Sequence, residues 1–158
     1  MLTVNLIVIG KLKEAYLRDA CAEYCKRLQA FCNIKVIELA EYRLPDKPSE
    51  SQITAGMEQE AKAILQKAKG AIVPLCIEGK QVTSTEFADY FEEQANNGIS
   101  EISFIIGGSF GLSDEVKRAG KFKMSMSKMT FPHQLARVML LEQIYRAFSI
   151  SAGTRYHK

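Results

Sequence analysis

The chain has 158 residues, 47% of them apolar and 25% charged, with four cysteines and a formal net charge of +3. That length favours a single domain, residues 1–158, which buries roughly 68–70% of its unfolded surface and needs no metal or disulfide staple. The composition excludes disorder, collagen and coiled coil, and no apolar run approaches the ~20 residues of a membrane span.

The N-terminus carries no basic region and no small-residue cleavage site, so it reads as a first strand and not as a signal peptide, which places the chain in the cytoplasm. Thr3–Ile9 is a short apolar run stopping at Gly10 and predicts a strand. Leu17, Cys21, Tyr24, Leu28 and Phe31 follow in steps of four and three, which predicts a helix over 13–31. Residues 33–39 return to β-type side chains, and 41–50, with Pro45 and Pro48, form a loop. Residues 51–69 are helical and end at Gly70. Residues 71–77 are a third strand, in which Pro74 cannot donate to the ladder and implies a bulge or a locally open backbone. Thr83 and Glu86 have capping-box spacing before a helix that stops at Asn96-Asn97-Gly98. Residues 101–106 are a fourth strand. Ser113 caps a short helix to about 119 whose first turn holds two acids. Residues 123–127 alternate Met and Ser and predict a fifth strand. A long helix starts from Thr130 or Phe131, with Pro132 near its first position, and runs to about 150. Residues 151–158 are a polar tail.

Strands separated by helices imply an α/β fold with a mainly parallel sheet flanked by helices. In such a sheet ligands sit beyond the carboxyl ends of the strands, here residues 75–79, 107–111 and 126–131. Gly107-Gly108-Ser109-Phe110-Gly111 allows close approach to the main chain, although a tight turn without a ligand explains it equally. It is neither a dinucleotide fingerprint nor a phosphate loop, and Gly10-Lys11-Leu12-Lys13 after the first strand lacks the fingerprint too. Ser127-Lys128-Met129-Thr130-Phe131-Pro132-His133 packs hydroxyls, a lysine and a histidine before a helix start, where backbone N–H groups bind anions. The methionines read as core filler. Cysteines 21, 25, 32 and 76 have no C-x-x-C spacing, and only His133 and His157 could join them, so no metal site is expected.

The last helix is apolar nearly all round, which implies a subunit interface as well as a core. Within it Glu142 and Arg146 are four apart and pair on one face, as an ordinary ion pair would. Charge is also uneven: residues 1–116 hold 12 Lys+Arg against 17 Asp+Glu, whereas 117–158 hold nine Lys+Arg and one acid. A basic quarter of this kind attracts a polyanion if its charges share a face.

Ile105-Ile106-Gly107-Gly108-Ser109-Phe110-Gly111-Leu112, the 127–133 segment, Arg137-Val138, Glu142-Gln143-Ile144-Tyr145-Arg146-Ala147-Phe148 and Tyr156-His157-Lys158 stand in one order along the chain. With Ile7–Lys13 and Glu78-Gly79-Lys80 they span it, and together they resemble the RlmH family. These are SPOUT-class methyltransferases that modify a pseudouridine of large-subunit ribosomal RNA. The resemblance implies a SPOUT-type fold with a C-terminal trefoil knot, a feature rare enough that strand counting could not have shown it. It implies a homodimer, 23S rRNA in the assembled ribosome (the helix 69 loop) as substrate, and neither membrane nor DNA as partner. It also implies S-adenosyl-L-methionine held by Leu75, Gly107, Met126, Ser127, Lys128, Met129, Thr130 and Phe131, without a metal. Pro74 and Phe110 flank those loops and leave their shape open.

The family's product, N3-methylpseudouridine, sets the chemistry. An imide N3–H is a poor nucleophile until deprotonated, so a base, or donors for the developing imidate charge, must be present. The candidates are His133, Arg137, Glu142, Tyr145, Arg146, Tyr156 and His157. Arg146 is the best donor, Glu142 orients it, and Tyr156 and His157 fold over the target base from the partner subunit. A non-catalytic RNA-binding module would also use the basic quarter, and cofactor binding separates the two.

Overall fold

The structure, a computed structural model, describes residues 1–157; the Lys158 end of the terminal motif lies outside the described residues. Five strands, β1 (Thr3–Ile9), β2 (Asn33–Leu39), β3 (Ala71–Gln81), β4 (Glu101–Ile106) and β5 (Met124–Ser125), form one sheet in the order β2-β1-β4-β3-β5. Every pairing between them is parallel. Five helices connect or follow them: α1 (Ala15–Leu28), α2 (Glu50–Lys67), α3 (Ser84–Asn96), α4 (Asp114–Ala119) and α5 (His133–Ser151).

The period of two in the strands builds two cores. Val4, Leu6 and Val8 of β1 and Ile102, Phe104 and Ile106 of β4 face Cys21, Leu28, Phe87, Phe91, Leu140 and Ile144 of α1, α3 and α5. Ile7, Ile9 and Ile105 point the other way, onto Ala61, Ile64 and Val116 of α2 and α4. Both faces of the central strands are therefore covered, which explains their unbroken apolar runs.

Local chemistry fixes the starts of three helices. Thr83 accepts from the Glu86 N–H at 3.0 Å while the Glu86 carboxylate accepts from the Thr83 N–H at 2.9 Å, which is the expected capping box. Ser49 and Gln52 form a second one at the start of α2. Ser113 caps α4 by accepting from the Val116 N–H. The expected boundaries shift in four places, the first being β3, which runs on to Gln81, past the expected end at residue 77. α1 is shorter at both ends than the apolar stripe suggested. β5 is two residues long, because the partner register on β3 jumps between Leu75 and Lys80. The cap of α5 is Pro132 itself, in extended conformation, with no side-chain bond, so neither Thr130 nor Phe131 caps it.

β3 pairs with β4 only from Ala71 to Pro74. The missing proline N–H falls where that ladder ends; Leu75 pairs with Met124 of β5, and the irregular backbone expected here is the stretch between Leu75 and Lys80, where the register shifts. Gly79 passes under β5 so closely that a Cβ would stand 2.8 Å from the Met124 carbonyl carbon.

The buried apolar ring of α5 is explained by its neighbours. It packs on both α1 and α3, so two of its faces are covered by helices and a third by the sheet.

Candidate active site

The carboxyl ends of β4 and β5 and the part of β3 just past Pro74 open into a cavity of about 670 Å³. Its walls come from the three strand-end segments: Leu75–Glu78, Gly107–Leu112 and Ser125–Pro132, closed by His133 and Ala136 at the start of α5. Seven of the eight residues expected to hold the cofactor line it: Leu75, Gly107, Met126, Ser127, Met129, Thr130 and Phe131. Lys128 points elsewhere and is exposed.

The glycine-rich wall is a tight turn. The Gly111 N–H donates to the Gly108 carbonyl at 3.0 Å, and Gly111 takes φ +78°, a conformation that costs glycine least. A Cβ on Gly107 would stand 2.6 Å from the Gly111 backbone, so this wall folds only without a side chain there. The 125–129 wall is shaped by hydroxyls: Ser125 Oγ donates to the Ser127 carbonyl, and Ser127 Oγ accepts from the Met129 N–H at 3.0 Å. At the opposite rim Lys117 pairs with Glu78 at 2.5 Å, which holds that carboxyl below its usual range. His133 is half-buried at the cavity wall; burial, then the Arg137 charge, keep its pKa below the ordinary value.

Arg137 stands apart from these groups. Only 2% exposed, it donates to Glu38 Oε2 at 2.8 Å and to the carbonyls of Gly10 at 2.6 Å and Ile9 at 3.2 Å. Its guanidinium thus ties the first turns of α5 to the ends of β1 and β2. The expectation of a role in transfer meets a side chain committed to the scaffold.

The remaining candidates converge on one cluster. Glu142 Oε1 accepts from Arg146 Nε at 2.9 Å and Nη2 at 2.5 Å, and from the Tyr156 hydroxyl at 3.3 Å. Glu142 Oε2 accepts from Gln143, whose amide oxygen accepts from Ser84. Arg146 Nη1 lies 3.2 Å from His157 Nδ1. Arginine only donates, so Nδ1 accepts and a neutral His157 carries its hydrogen on Nε2. The Arg146 guanidinium also sits over the Tyr156 ring at 4.8 Å, and Tyr156 meets Tyr145 edge-on at 4.7 Å. The tail is held in place by more than the cluster: the Thr154 N–H donates to the Ser149 carbonyl after a reversal at Gly153.

Neither Glu142, Arg146, Tyr156 nor His157 lines the strand-end cavity. Glu142 instead faces a second cavity of about 480 Å³, which shares Ser125 and Met126 with the first. Of the basic quarter, Lys117, Arg137 and Arg146 are paired with carboxylates; among the described residues Arg118, Lys121, Lys123, Lys128 and Arg155 form no ion pair. No group of three or more potential metal ligands occurs among the described residues, and no helix there is long and apolar enough to cross a membrane.

A parallel sheet with a glycine-walled cavity at its strand ends and a cationic cluster beside it defines a class that comparison identifies. A family model described as predicted SPOUT methyltransferase matches residues 2–157. The fold is also that of a probable methylase family protein from Haemophilus influenzae Rd KW20, at a TM-score of 0.55 and 11% identity over 98% of this chain and 70% of that one. The tRNA (m1G37) methyltransferase from Aquifex aeolicus gives a TM-score of 0.54 at 9% identity, covering 90% and 69%. Curated proteins called ribosomal RNA large subunit methyltransferase H are far more similar in sequence. That of Clostridium acetobutylicum is 47% identical, covering 99% of this chain and all of the relative, and that of Streptococcus thermophilus is 49% identical, covering 98% and 99%. The chain belongs to the ribosomal RNA large subunit methyltransferase H family of SPOUT methyltransferases.

Proposed function

We propose that the protein transfers a methyl group from S-adenosyl-L-methionine to N3 of a pseudouridine in the helix 69 loop of 23S rRNA, on the assembled ribosome in the cytoplasm. The observation that carries this reading is the strand-end cavity. Its volume suits a ligand of this size, and its walls combine Gly107, Gly108 and Gly111 with apolar Leu75, Ile77, Ile106 and Leu112. Leu75, Gly107 and the Met126–Phe131 segment without Lys128 would hold the cofactor. No metal is needed, because the sulfonium supplies an already electrophilic methyl group.

The protein's own task is to align the acceptor nitrogen and to manage its proton. In that transfer the N–C bond would form as the S–C bond breaks, the sulfur would keep the electron pair, and the N3 proton would pass to solvent water while the imidate charge develops toward Arg146. Arg146 uses three of its five N–H groups on Glu142 and His157, which leaves one hydrogen on each terminal nitrogen for a developing imidate oxygen or a phosphate. Glu142 fixes the guanidinium plane. Tyr156 and His157 close over the base.

We further propose that the active unit is a homodimer. The cluster and the cavity of one chain do not share a wall residue, so one acceptor is brought to both if the cluster of one protomer faces the cavity of its partner. The chain returns from β5, at the sheet edge, to α5 packed on α1 and α3, a path that a trefoil knot near the C-terminus would follow. The unpaired cations after residue 117 would meet RNA phosphate.

The test is tritiated methyl transfer to ribosomes lacking the modification, followed by nucleoside analysis. A variant carrying Arg146→Ala and a variant truncated after Arg155 should each be inactive, as should one with a blocked cavity, Gly107→Val. Co-refolded Gly107→Val and Arg146→Ala chains should recover activity, since each dimer of the two then contains one intact composite site. Label at another nucleotide, or no recovery in a mixed dimer of demonstrated composition, would refute the substrate and the dimeric site respectively.

A further inference from the structure

Beside the tail, the last two turns of α1 present two side chains that no step above uses. The Arg27 guanidinium carbon lies 5.4 Å from the Tyr24 ring centre and 5.7 Å from that of Tyr145. Glu23, one turn earlier, accepts from Arg27 Nε at 2.8 Å and fixes the plane of that cation. Tyr24 and Tyr145 rings are 6.4 Å apart. Tyr156 then seats its edge on Tyr145 and its face on Arg146. Burial, followed by the neighbouring Tyr24 and Glu142 groups, pushes the Tyr156 phenol up to about 12, so its hydroxyl stays protonated and donates toward Glu142 at any working pH. Two cations and three tyrosines therefore form one contiguous cluster from chain segments remote in sequence, α1 on one side and α5 with the tail on the other.

We infer that Tyr24 and Arg27 form, with Tyr145, the seat on which the C-terminal tail docks, and so act as positioning residues for Tyr156 and His157. A tail of a few residues has little surface with which to hold itself, and terminal segments are ordered only where something ties them down. Here Tyr156 rests directly on Tyr145, Arg146 and Glu142 of α5, and α1 contributes at one remove, with Tyr24 and Arg27 backing the Tyr145 ring. Arg27 is exposed and can be replaced without touching the core, whereas half-buried Tyr24 also packs on the core, so its leucine variant keeps an apolar side chain there. The consequence for transfer rests on the proposed function; the docking itself does not.

Carboxypeptidase release of the C-terminal residues, followed by mass spectrometry on the full-length protein, reads the undocked population directly. Tyr24→Leu and Arg27→Ala should each speed the release of His157 and Tyr156 by about 2–5-fold, the equilibrium change expected for one exposed cation–π contact. Tyr24→Phe and Arg27→Lys keep the ring and the charge and should stay close to the parent. In methyl transfer, the first two variants should lower kcat by a similar factor at unchanged S-adenosylmethionine affinity by calorimetry. Unchanged release in variants with parental circular dichroism would overturn the docking, and faster release with parental kcat would overturn the positioning role. A parent protein that transfers no methyl group would refute the preceding reading instead, and the release rates alone would then decide the docking.

Discussion

Replacing Arg137 with methionine separates a scaffold role from a chemical one. The substitution keeps most of the buried stem and removes three hydrogen bonds, to Glu38, Gly10 and Ile9. Breaking a buried ion pair by removing one partner costs about 3–5 kcal/mol. Two features place this case at the lower end. Glu38 retains 35% of its side-chain exposure, so water takes over part of its solvation. Arg137 Nε has no partner, and removing it relieves one unmet desolvation. The expected loss is about 3 kcal/mol, which for a domain of this length corresponds to a fall in Tm of roughly 6–12 °C. Arg137→Lys keeps the charge and loses the fork, so it should fall between the two proteins. Urea unfolding at one fixed protein concentration measures the difference without confusing it with any change in association. An Arg137→Met protein within about 0.5 kcal/mol of the parent, the range of ordinary surface changes, would refute the assignment and return this arginine to the list of groups free to meet substrate.

Three further outcomes follow from the geometry. Gly79→Ala places a methyl 2.8–2.9 Å from the backbone of Lys123 and Met124, so it should push β5 off β3 and weaken S-adenosylmethionine binding by at least tenfold in calorimetry; parental affinity would contradict the close crossing. His133 has a depressed pKa in the fold, so below the unfolded value of 6.5 the unfolded chain binds the extra proton and stability falls as pH drops through the folded value. His133→Gln should therefore lose less stability than the parent between about pH 7.5 and 5.5, and equal losses would place the ring in solvent. Cys32, 1% exposed and pushed up to about 12 by burial, should ignore Ellman's reagent at pH 8 until denaturant is added, whereas Cys76, half-buried on the cavity wall and raised less by burial and Glu78, should react slowly and be protected by cofactor.

The strands that lie in the middle of the sheet were legible because both their faces are buried, so β1 and β4 appear as apolar runs with the bounds the structure gives them. The capping box at Thr83 and Glu86 was legible because it is a contact between residues three apart. β5 was not, since alternation of Met and Ser over five residues says nothing about how far β3 stays alongside. The fate of Arg137 was equally hidden: its partners Glu38, Ile9 and Gly10 lie about a hundred or more residues away, and only the packing of α5 over the strand ends brings them together. The same distance in sequence concealed Tyr24 and Arg27. The periodicity of α1 marked Tyr24 as an apolar position, and nothing in it announced that Tyr24 and Arg27 would back the α5 tyrosine on which the tail rests.

Pro74 has an effect larger than one missing hydrogen bond. Past it, β3 no longer pairs with β4 and meets β5 only at Leu75 and again from Lys80, so Cys76, Ile77 and Glu78 line the cavity outside any ladder. A wall segment that no neighbouring strand pins can shift to fit a guest without breaking inter-strand hydrogen bonds, whereas the same movement at β4 would cost the sheet its centre.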